Sequence, residues 1–415
     1  MTSTSTRAPR GPVRRLTRTL YGYAFLEECV LLYPVYALLF SDTGLSVAQI
    51  SSLFALWSIT GILLEIPSGA WADTVSRRLL LWTGPLFTAA GFALWTLLPS
   101  YGAFAAGFVL WGVGGALVSG ALEALVHDEL DHLGAAGNYA RVMGRARAAG
   151  LAAVVTAMLL AGPVLTLGGH AAVGAASVLA CLLASATATR FPEHRTPAPD
   201  RTGWTTALRT GLAEARADRS VRGALLLVPA VGAVWGALDE YTPLLVRDTG
   251  VADGTVPLLL VLIWAGATAG SLLAGEGERL GTPGLALLLA GGGLALAVGS
   301  ATGTPAALLL VAVAFGCFQA ATVLADARLQ HRIGSSGRAT LTSVAGLGTE
   351  LATVAVFGGY ALLAAHAPHG TVFAVLAVPY LATALLLLLP GPRRRGPGRH
   401  RERATTAAAG DADGR

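Results

Sequence analysis

The sequence predicts an all-α polytopic membrane protein with twelve transmembrane helices in two pseudo-symmetric six-helix bundles. Three observations predict this class: an apolar composition, apolar blocks of membrane-spanning length, and arginines that recur in alternate connections. Of the 415 residues, 54% are hydrophobic and only 13% are charged, whereas an ordinary soluble domain is about a quarter charged. The mean hydropathy is +0.62. Water is therefore not the main solvent of this chain.

The apolar blocks set the number of helices. Each block is long enough to cross a hydrocarbon core of roughly 30 Å at about 1.5 Å per helical residue. The alternation over about ten residues that is typical of a membrane β-barrel does not occur. Many of the 52 glycines lie in the blocks, where small residues allow helices to approach closely. We predict spans at 19–41, 47–70, 79–98, 102–126, 147–167, 170–189, 223–246, 255–275, 283–300, 304–326, 339–364 and 370–390.

The arginines test these spans independently. The chain has no lysine, and 28 of its 29 arginines lie in the two tails or in the connections that follow even-numbered spans. Only Arg247 lies on the other side. The positive-inside rule assigns the arginine-bearing side to the cytoplasm. Both termini are therefore expected in the cytoplasm, in agreement with an even number of spans in a bacterial inner membrane.

The long charged connection in mid-chain divides the protein into two halves. Trp204, Leu208 and Leu212 recur there at helical spacing, which favours a short helix on the membrane surface, with an unstructured charged loop as the alternative. The expected organisation is a disordered basic N-terminal tail at 1–18, six-helix bundles at 19–189 and 223–390, a cytoplasmic linker at 190–222, and a disordered tail at 391–415.

The two halves resemble each other. At a shift of 206 residues, Asp42-Thr43-Gly44 after the first span matches Asp248-Thr249-Gly250 after the seventh. Gly69 likewise matches Gly275. Internal duplication of this kind is typical of secondary transporters, whose substrate site lies between the repeats near mid-membrane.

The loop after the second span carries a family resemblance. Its sequence from Gly69 to Arg78, Gly-Ala-Trp-Ala-Asp-Thr-Val-Ser-Arg-Arg, resembles the Gly-x-x-x-Asp-Arg-x-Gly-Arg-Arg/Lys signature of the major facilitator superfamily, from which it departs at Thr74 and Ser76. The resemblance implies the twelve-helix fold of that superfamily, transport by alternating access, and a cytoplasmic gate; the alternative is that the arginines only anchor the loop. The gate residues are then expected to be Gly69, Asp73, Arg77, Arg78, Glu123 and Asp128.

Other motifs bear on the branch of the family. The runs Glu65–Gly69 and Ser119–Leu125 resemble a bacterial branch with drug or metabolite exporters. Proton-coupled drug antiporters of the family usually carry an arginine within the fourth span, which is absent here before Arg141. Their Gly-Gly pair late in the fifth span is displaced here by two residues, to Gly168-Gly169. These departures weaken the antiporter assignment without excluding it.

Acidic residues inside the spans are functional candidates, because an ionisable group in hydrocarbon costs at least about 2.5–3.5 kcal/mol. The predicted spans contain no arginine away from their ends. A carboxylate so placed must be protonated, hydrated in a cavity, or matched by a cationic ligand. The candidates are Glu27, Glu28, Glu65, Glu123, Asp239, Glu240, Asp326 and Glu350.

Depth along each span sorts these candidates. Glu27 and Glu350 lie about 14 Å and about 17 Å from the cytoplasmic ends of their spans, near mid-membrane, and are the first choices for proton or substrate binding. Glu28 points about 100° away from Glu27, so one of the two is expected to face a cavity. Asp239 and Glu240 lie toward the external end, where a vestibule or gate is expected. The other three lie near cytoplasmic ends, where ion pairs with loop arginines are expected.

Aromatic and polar residues at similar depths are candidates to line a pocket for an amphipathic or cationic ligand. Interfacial anchoring and packing against lipid are the alternative interpretation. Pro34 and Pro243 are expected to kink the first and seventh spans. The candidate lining residues are Tyr23, Tyr33, Tyr36, Trp57, Trp235, Tyr241, Trp264 and Gln319.

These features favour a proton-coupled exporter of hydrophobic or cationic small molecules, acting as a monomer in the lipid bilayer. A proton-coupled importer of a small nutrient is the alternative, and a sensor or assembly factor that moves no substrate is a third possibility. An enzyme is not expected: the chain has no P-loop, and its cysteines and histidines show no metal-ligand spacing. No cofactor and no nucleic-acid partner are expected either.

Overall fold

The computed structural model describes residues 10–194, 219–277, 279–333 and 338–389, and for residues 10, 65–74, 219–220 and 338–340 it describes the backbone alone. Most of the predicted linker, with its candidate surface helix at Trp204, Leu208 and Leu212, lies outside the described residues, as do residues 1–9 and 390–415. All regular structure in the described ranges is helical.

The described residues form fifteen α-helices. In the N-terminal half they are α1 Arg10–Glu28, α2 Tyr36–Asp42, α3 Val47–Thr74, α4 Arg77–Leu97, α5 Tyr101–Val118, α6 Ala121–His132 and α7 Tyr139–Ala188. In the C-terminal half they are α8 Arg219–Asp239, α9 Thr242–Asp248, α10 Val256–Gly277, α11 Thr282–Thr302, α12 Leu308–Arg332, α13 Arg338–Ala364, α14 His369–Leu376 and α15 Val378–Leu388.

Ten helices in the described part of the chain are long and apolar enough to cross a membrane. This count is consistent with twelve spans for two reasons. First, α7 contains two spans, since Gly169 (φ 62°, ψ −165°) turns the chain sharply inside it, a conformation that glycine adopts without steric cost. Second, the broken pair α1 and α2 together make a span outside the ten. The all-helical membrane fold expected from the sequence is confirmed.

The first helix begins earlier than expected. Residues 10–18, which we assigned to a disordered tail, form the first two turns of α1. Leu16 and Leu20 lie four residues apart on one helical face and are buried in the N-terminal half, while Arg14 and Arg15 are exposed. The apolar stripe therefore extends the helix past the apolar block, because burial on one face stabilises a helix even in a charged segment.

The first and seventh spans are broken rather than kinked. Residues 29–35 leave the helix between α1 and α2, and residues 240–241 separate α8 from α9. Proline supplies no backbone donor, and Pro34 and Pro243 lie at these breaks. The side chain of Ser177 accepts the hydrogen bond of the Leu32 amide at 3.0 Å, which satisfies a backbone group that the helix has released. Both breaks lie directly beside an acidic pair.

Glycines explain the tight packing inside each half. A Cβ on Gly91 would lie 2.7 Å from the carbonyl oxygen of Gly107, so α4 and α5 touch backbone to backbone. In the C-terminal half, Gly270 of α10 meets Gly316 of α12 in the same manner. Such contacts give close packing in lipid without large side chains.

The two halves meet along three helix pairs: α3 with α13, α7 with α10, and the short helices α2 and α9. Ion pairs and hydrogen bonds fix which connections share a face. Arg77, the first residue of α4, pairs with Asp128 of α6, and Arg328 of α12 donates a hydrogen bond to the carbonyl of Leu280, in the connection before α11. We call this end the arginine-rich face. The opposite end, where Arg247 meets Asp42, is the arginine-poor face.

Candidate functional site

A cavity of about 300 Å³ lies between the two halves, at the level of the helix breaks. Its acidic lining comes from both halves: Glu28 ends α1, while Asp239 and Glu240 lie at the end of α8. No arginine or histidine is among the described residues that line it. The remaining walls are mostly aromatic and apolar, formed by Tyr33, Pro34, Tyr36, Trp111, Val154, Met158, Thr242, Pro243, Leu260 and Trp264. We call this space the central cavity.

The adjacent carboxylates of α1 face different spaces. Glu28 lines the central cavity and is exposed to it. Glu27 lines a second cavity of about 180 Å³ inside the N-terminal half, beside Cys181. Glu28 borders this second cavity as well. The structure therefore places Glu28 between the two spaces and Glu27 in the inner one.

Asp239 and Glu240 lie at the break between α8 and α9. We expected them near the external end of the span, in a vestibule or gate. The helix α8 is continuous up to Asp239, and the span resumes in α9. At this break both carboxylates line the central cavity, the same space that Glu28 lines.

Glu350 approaches the same region from the other side. It lies on α13 and lines a third cavity, of about 390 Å³, with Trp57 of α3 and Trp111 of α5. Its side chain is exposed to that space. Carboxylates from α1, α8 and α13 thus surround one region between the halves.

An aromatic stack separates the three cavities. Tyr33 stacks on Trp111 with ring centroids 5.3 Å apart, and Trp111 stacks in turn on Trp57 at 4.9 Å. Trp111 lines all three cavities. Our sequence reasoning missed Trp111, since a tryptophan in an apolar span without a neighbouring charge is indistinguishable from a lipid-facing one.

The other aromatic and polar candidates occupy several environments. Tyr36 and Trp264 line the central cavity. Tyr23 instead lies in the core of the N-terminal half, where it donates a hydrogen bond to Leu81 at 3.2 Å. Trp235 donates to the hydroxyl of Thr322 at 3.1 Å inside the C-terminal half. Gln319 is half-buried in α12 and lines none of the three cavities.

The arginine-poor face is fastened by an ion pair between the halves. Arg247 contacts the carboxylate of Asp42 at 2.6 Å and donates to the hydroxyl of Ser41 at 2.5 Å. Nε2 of His170 lies 2.9 Å from the other oxygen of Asp42. Arg247 is the arginine that departed from the positive-inside pattern, and here it joins the two halves.

Neutral contacts lie beneath this ion pair. Tyr241 is fully buried and donates a hydrogen bond to Ser51 of the opposite half at 2.6 Å. Phe54 packs against Tyr241 and against Phe357 of α13. The backbones of Gly162 and Gly254 also touch between α7 and the turn before α10. These contacts between the halves close the central cavity toward the arginine-poor face.

The opposite face carries the residues of the expected cytoplasmic gate. Arg77 and Asp128 form an ion pair at 2.5 Å, while Arg78 is exposed at the start of α4. Glu123 is exposed on α6 and makes no ion pair with an arginine that the structure describes. The side chain of Asp73, like Gly69, lies in the part of α3 that is described by its backbone alone.

Two broken spans and a carboxylate-lined cavity between two helical halves are typical of secondary membrane transporters. The sequence profile described as Major Facilitator Superfamily matches residues 29–325. The chain belongs to this superfamily, and it is therefore a transporter rather than an enzyme. No curated protein sequence matches it significantly.

Solved transporter structures share this fold. The nucleoside transporter NupG is similar with a TM-score of 0.74 at 14% identity, covering 90% of this chain and 98% of its own. The peptide transporter PepTSo of the POT family is similar with a TM-score of 0.70 at 13% identity, covering 91% of this chain and 97% of its own. A bacterial homologue of the iron transporter ferroportin, in an inward-facing state, is similar with a TM-score of 0.67 at 17% identity, covering 90% of this chain and 97% of its own. At these identities the likeness shows the fold alone.

Proposed function

We propose that this protein is a proton-coupled exporter of hydrophobic or cationic small molecules. The observation that carries the proposal is the central cavity, where Glu28, Asp239 and Glu240 share one space with aromatic walls. Its described lining offers no positive side chain to a ligand. Such a site favours a cation over an anion, because a bound carboxylate or phosphate would have no fixed charge partner.

Competition between a cation and protons supplies the coupling. A carboxylate in a space of low polarity is unfavourable as a bare ion and is stabilised either by a cation or by a proton. When the cation leaves, protons take its place, and when protons leave, the cation binds again. This competition at Glu28, Asp239 and Glu240 links the two fluxes in opposite directions. Glu27 and Glu350, in the adjoining cavities, are proposed as further proton sites.

The aromatic stack supplies the second part of ligand recognition. Trp111 and Tyr33 present ring faces and edges beside the carboxylates. A cation over an aromatic face gains about 0.5–2 kcal/mol, depending on its hydration. A cavity of about 300 Å³ is at the small end of the range for small-molecule sites. The expected ligand is a cation with an apolar or aromatic body.

The proposed orientation follows from the arginines. We place the arginine-rich face in the cytoplasm of a bacterial cell, with both termini inside and the protein acting as a monomer in the inner membrane. The contacts at Asp42–Arg247 and Tyr241–Ser51 then lie at the external side. With that side closed, the central cavity receives its ligand from the cytoplasm.

Inverted vesicles test the proposal. A proton gradient is imposed, and a pH-sensitive dye records proton release as tetraphenylphosphonium, a neutral analogue or an anion is added. We expect only the cation to release protons. Glu28→Gln and Glu240→Gln should abolish the response in inserted protein, since each removes a carboxylate from the cavity. Glu276→Gln is the matched control, because Glu276 is an exposed carboxylate at the end of α10, outside the cavity.

Three outcomes would contradict the proposal. Accumulation of a substrate in right-side-out vesicles, driven by an inward proton gradient, would make the protein an importer. Normal tetraphenylphosphonium flux in both cavity variants would remove these carboxylates from the mechanism. If no panel member moves and none binds to inserted protein, the transport proposal for cations fails altogether.

A further inference from the structure

The chain folds back onto the N-terminal half immediately after its sixth span. The helix α7 ends at Ala188, and residues 190–194 follow it along the arginine-rich face. Phe191 is buried in the core of this half, with its ring 5.6 Å from that of Tyr23 in an edge-to-face arrangement. The start of the interdomain linker is thus part of the packed structure of one half.

Glu193 accepts two hydrogen bonds from residues at the start of α4. Its Oε2 accepts from the hydroxyl of Ser76 at 2.5 Å, and its Oε1 accepts from the backbone amide of Arg77 at 2.7 Å. Ser76 also caps α4, since its oxygen accepts from the amide of Leu79 at 3.1 Å. A carboxylate at a helix N-terminus is favourable because it meets unpaired amides and the positive end of the helix dipole.

The side chain of Arg77 is held as well as its backbone. The guanidinium of Arg77 pairs with Asp128 of α6 at 2.5 Å, and the two side chains are 15% and 30% exposed. Glu193 therefore holds the backbone of Arg77, while Asp128 holds its side chain. Arg77 belongs to the family signature that we assigned to the gate, so its position is fixed by a residue outside that signature.

A second fastening follows one residue later. The backbone amide of His194 donates to Glu129 at 2.5 Å, and its ring Nδ1 lies 3.1 Å from the same carboxylate. Glu129 is 2% exposed and the His194 side chain is 56% exposed, so this contact is partly buried on the side of α6. The ring of His194 also stacks on His132 at 4.1 Å. The two contacts fix the point where the linker leaves the N-terminal half.

We infer that Glu193 is a positioning residue of the gate on the arginine-rich face, which sets the start of α4 at Ser76 and Arg77 and fastens the linker to the N-terminal half. This inference rests on the proposed transport function. It also explains a departure from the family signature. Position 76 is serine, where glycine is usual, and the serine hydroxyl donates a hydrogen bond to Glu193. A glycine at position 76 has no hydroxyl and would not make this hydrogen bond to the linker.

The inference makes Ser76 and Glu193 one functional unit, which a double-mutant cycle can test. The variants are Ser76→Ala, Glu193→Gln and their combination. Ser76→Thr keeps the hydroxyl and should restore function. Ser100→Ala is the matched control, because Ser100 caps α5 through the amide of Ala103 but has no carboxylate partner among the described residues.

Flux and conformation are then measured on the full chain in lipid nanodiscs and vesicles. We expect each single variant to lower the maximal rate of tetraphenylphosphonium flux about fivefold, with KM within about twofold because the ligand site is untouched. The double variant should be no slower than the single ones. Spin labels at Arg145→Cys and Arg279→Cys, with the three native cysteines replaced, report the separation of the halves at this face. Their distance distribution should broaden in Glu193→Gln and stay unchanged in Ser100→Ala.

Several results would overturn the inference. Multiplicative losses in the double variant would show that the two residues act separately. A raised KM at unchanged maximal rate would assign Glu193 to ligand binding, and an effect of equal size in Ser100→Ala would reduce Ser76 to an ordinary helix cap. The spin-label measurement needs no substrate. If the distance distribution of Glu193→Gln broadens but the protein shows no flux, the positioning role is supported and the transport proposal fails. If the distribution is unchanged and the flux is normal, the transport proposal is supported and the positioning role fails.

Discussion

Removing the hydroxyl of Tyr241 should open the arginine-poor face. Tyr241 donates a 2.6 Å hydrogen bond across the two halves to Ser51, which is only 2% exposed. In Tyr241→Phe, closure buries the Ser51 hydroxyl without this partner, whereas in the open arrangement water reaches it. The ring itself stays, including its stack on Tyr360 at 3.6 Å. The substitution therefore removes one polar contact and leaves the apolar packing in place.

The magnitude follows from the cost of an unsatisfied buried polar group, about 1–3 kcal/mol. That cost applies to the closed arrangement alone, so the ratio of closed to open protein should fall about 5- to 150-fold. Spin labels at Ala48→Cys and Ala252→Cys, both exposed positions on opposite halves at this face, measure the two populations as short and long distances. The measurement uses purified protein in nanodiscs with the native cysteines replaced.

Tyr23→Phe provides the matched control. Tyr23 is also fully buried, but its hydroxyl donates to Leu81 within the N-terminal half. The same chemical change should therefore lower the stability of that half and leave the distance ratio unchanged. The reasoning is refuted if Tyr241→Phe leaves the ratio at the wild-type value, or if Tyr23→Phe shifts it to the same extent.

Three further predictions use the same preparations. Gly162→Ala places a methyl group against the carbonyl oxygen of Gly254, so the closed population should fall; an unchanged ratio would mean that the halves do not need this close approach. Arg247→Gln removes a pair whose side chains are 25% and 39% exposed, so it should shift the ratio less than about fivefold and lose its effect at high salt; a larger, salt-independent shift would contradict this. Trp111→Ala should weaken tetraphenylphosphonium binding about tenfold while Trp111→Phe retains most of it, and equal affinities in both variants would exclude stacking on this ring.

Much of the fold was predictable because the bilayer constrains it strongly. A helix satisfies its own backbone in hydrocarbon, so apolar block length alone predicts the spans. The alternation of arginines then fixes which connections share a face. The turn at Gly169 lies between two predicted spans, as expected. The early start of α1 was missed because it depends on two buried leucines, which a hydropathy average over a sequence window does not detect.

The helix breaks were harder to predict for a physical reason. The break after α1 needs partners for released backbone groups, and one of these is Ser177, 145 positions away in the sequence. A prediction based on the length of the apolar block therefore gives one continuous helix over residues 19–41. The distance along the span likewise did not reveal that Asp239 and Glu240 lie at a break that lines the central cavity.

The candidate site combined predictable and unpredictable residues. Carboxylates in apolar spans are visible in the sequence because their insertion costs free energy. Glu193 was invisible, because a single glutamate in a charged, proline-bearing connection resembles an ordinary solvent-exposed residue. Its partners, Ser76 and the amide of Arg77, become apparent only when the chain folds back.

Trp111 is a wall shared by all three cavities. Its ring packs against six other aromatic rings, those of Tyr33, Tyr36, Trp57, Phe92, Trp95 and Phe108. A substitution at this single position therefore changes the walls of all three spaces together, so their sizes cannot be altered independently through this residue.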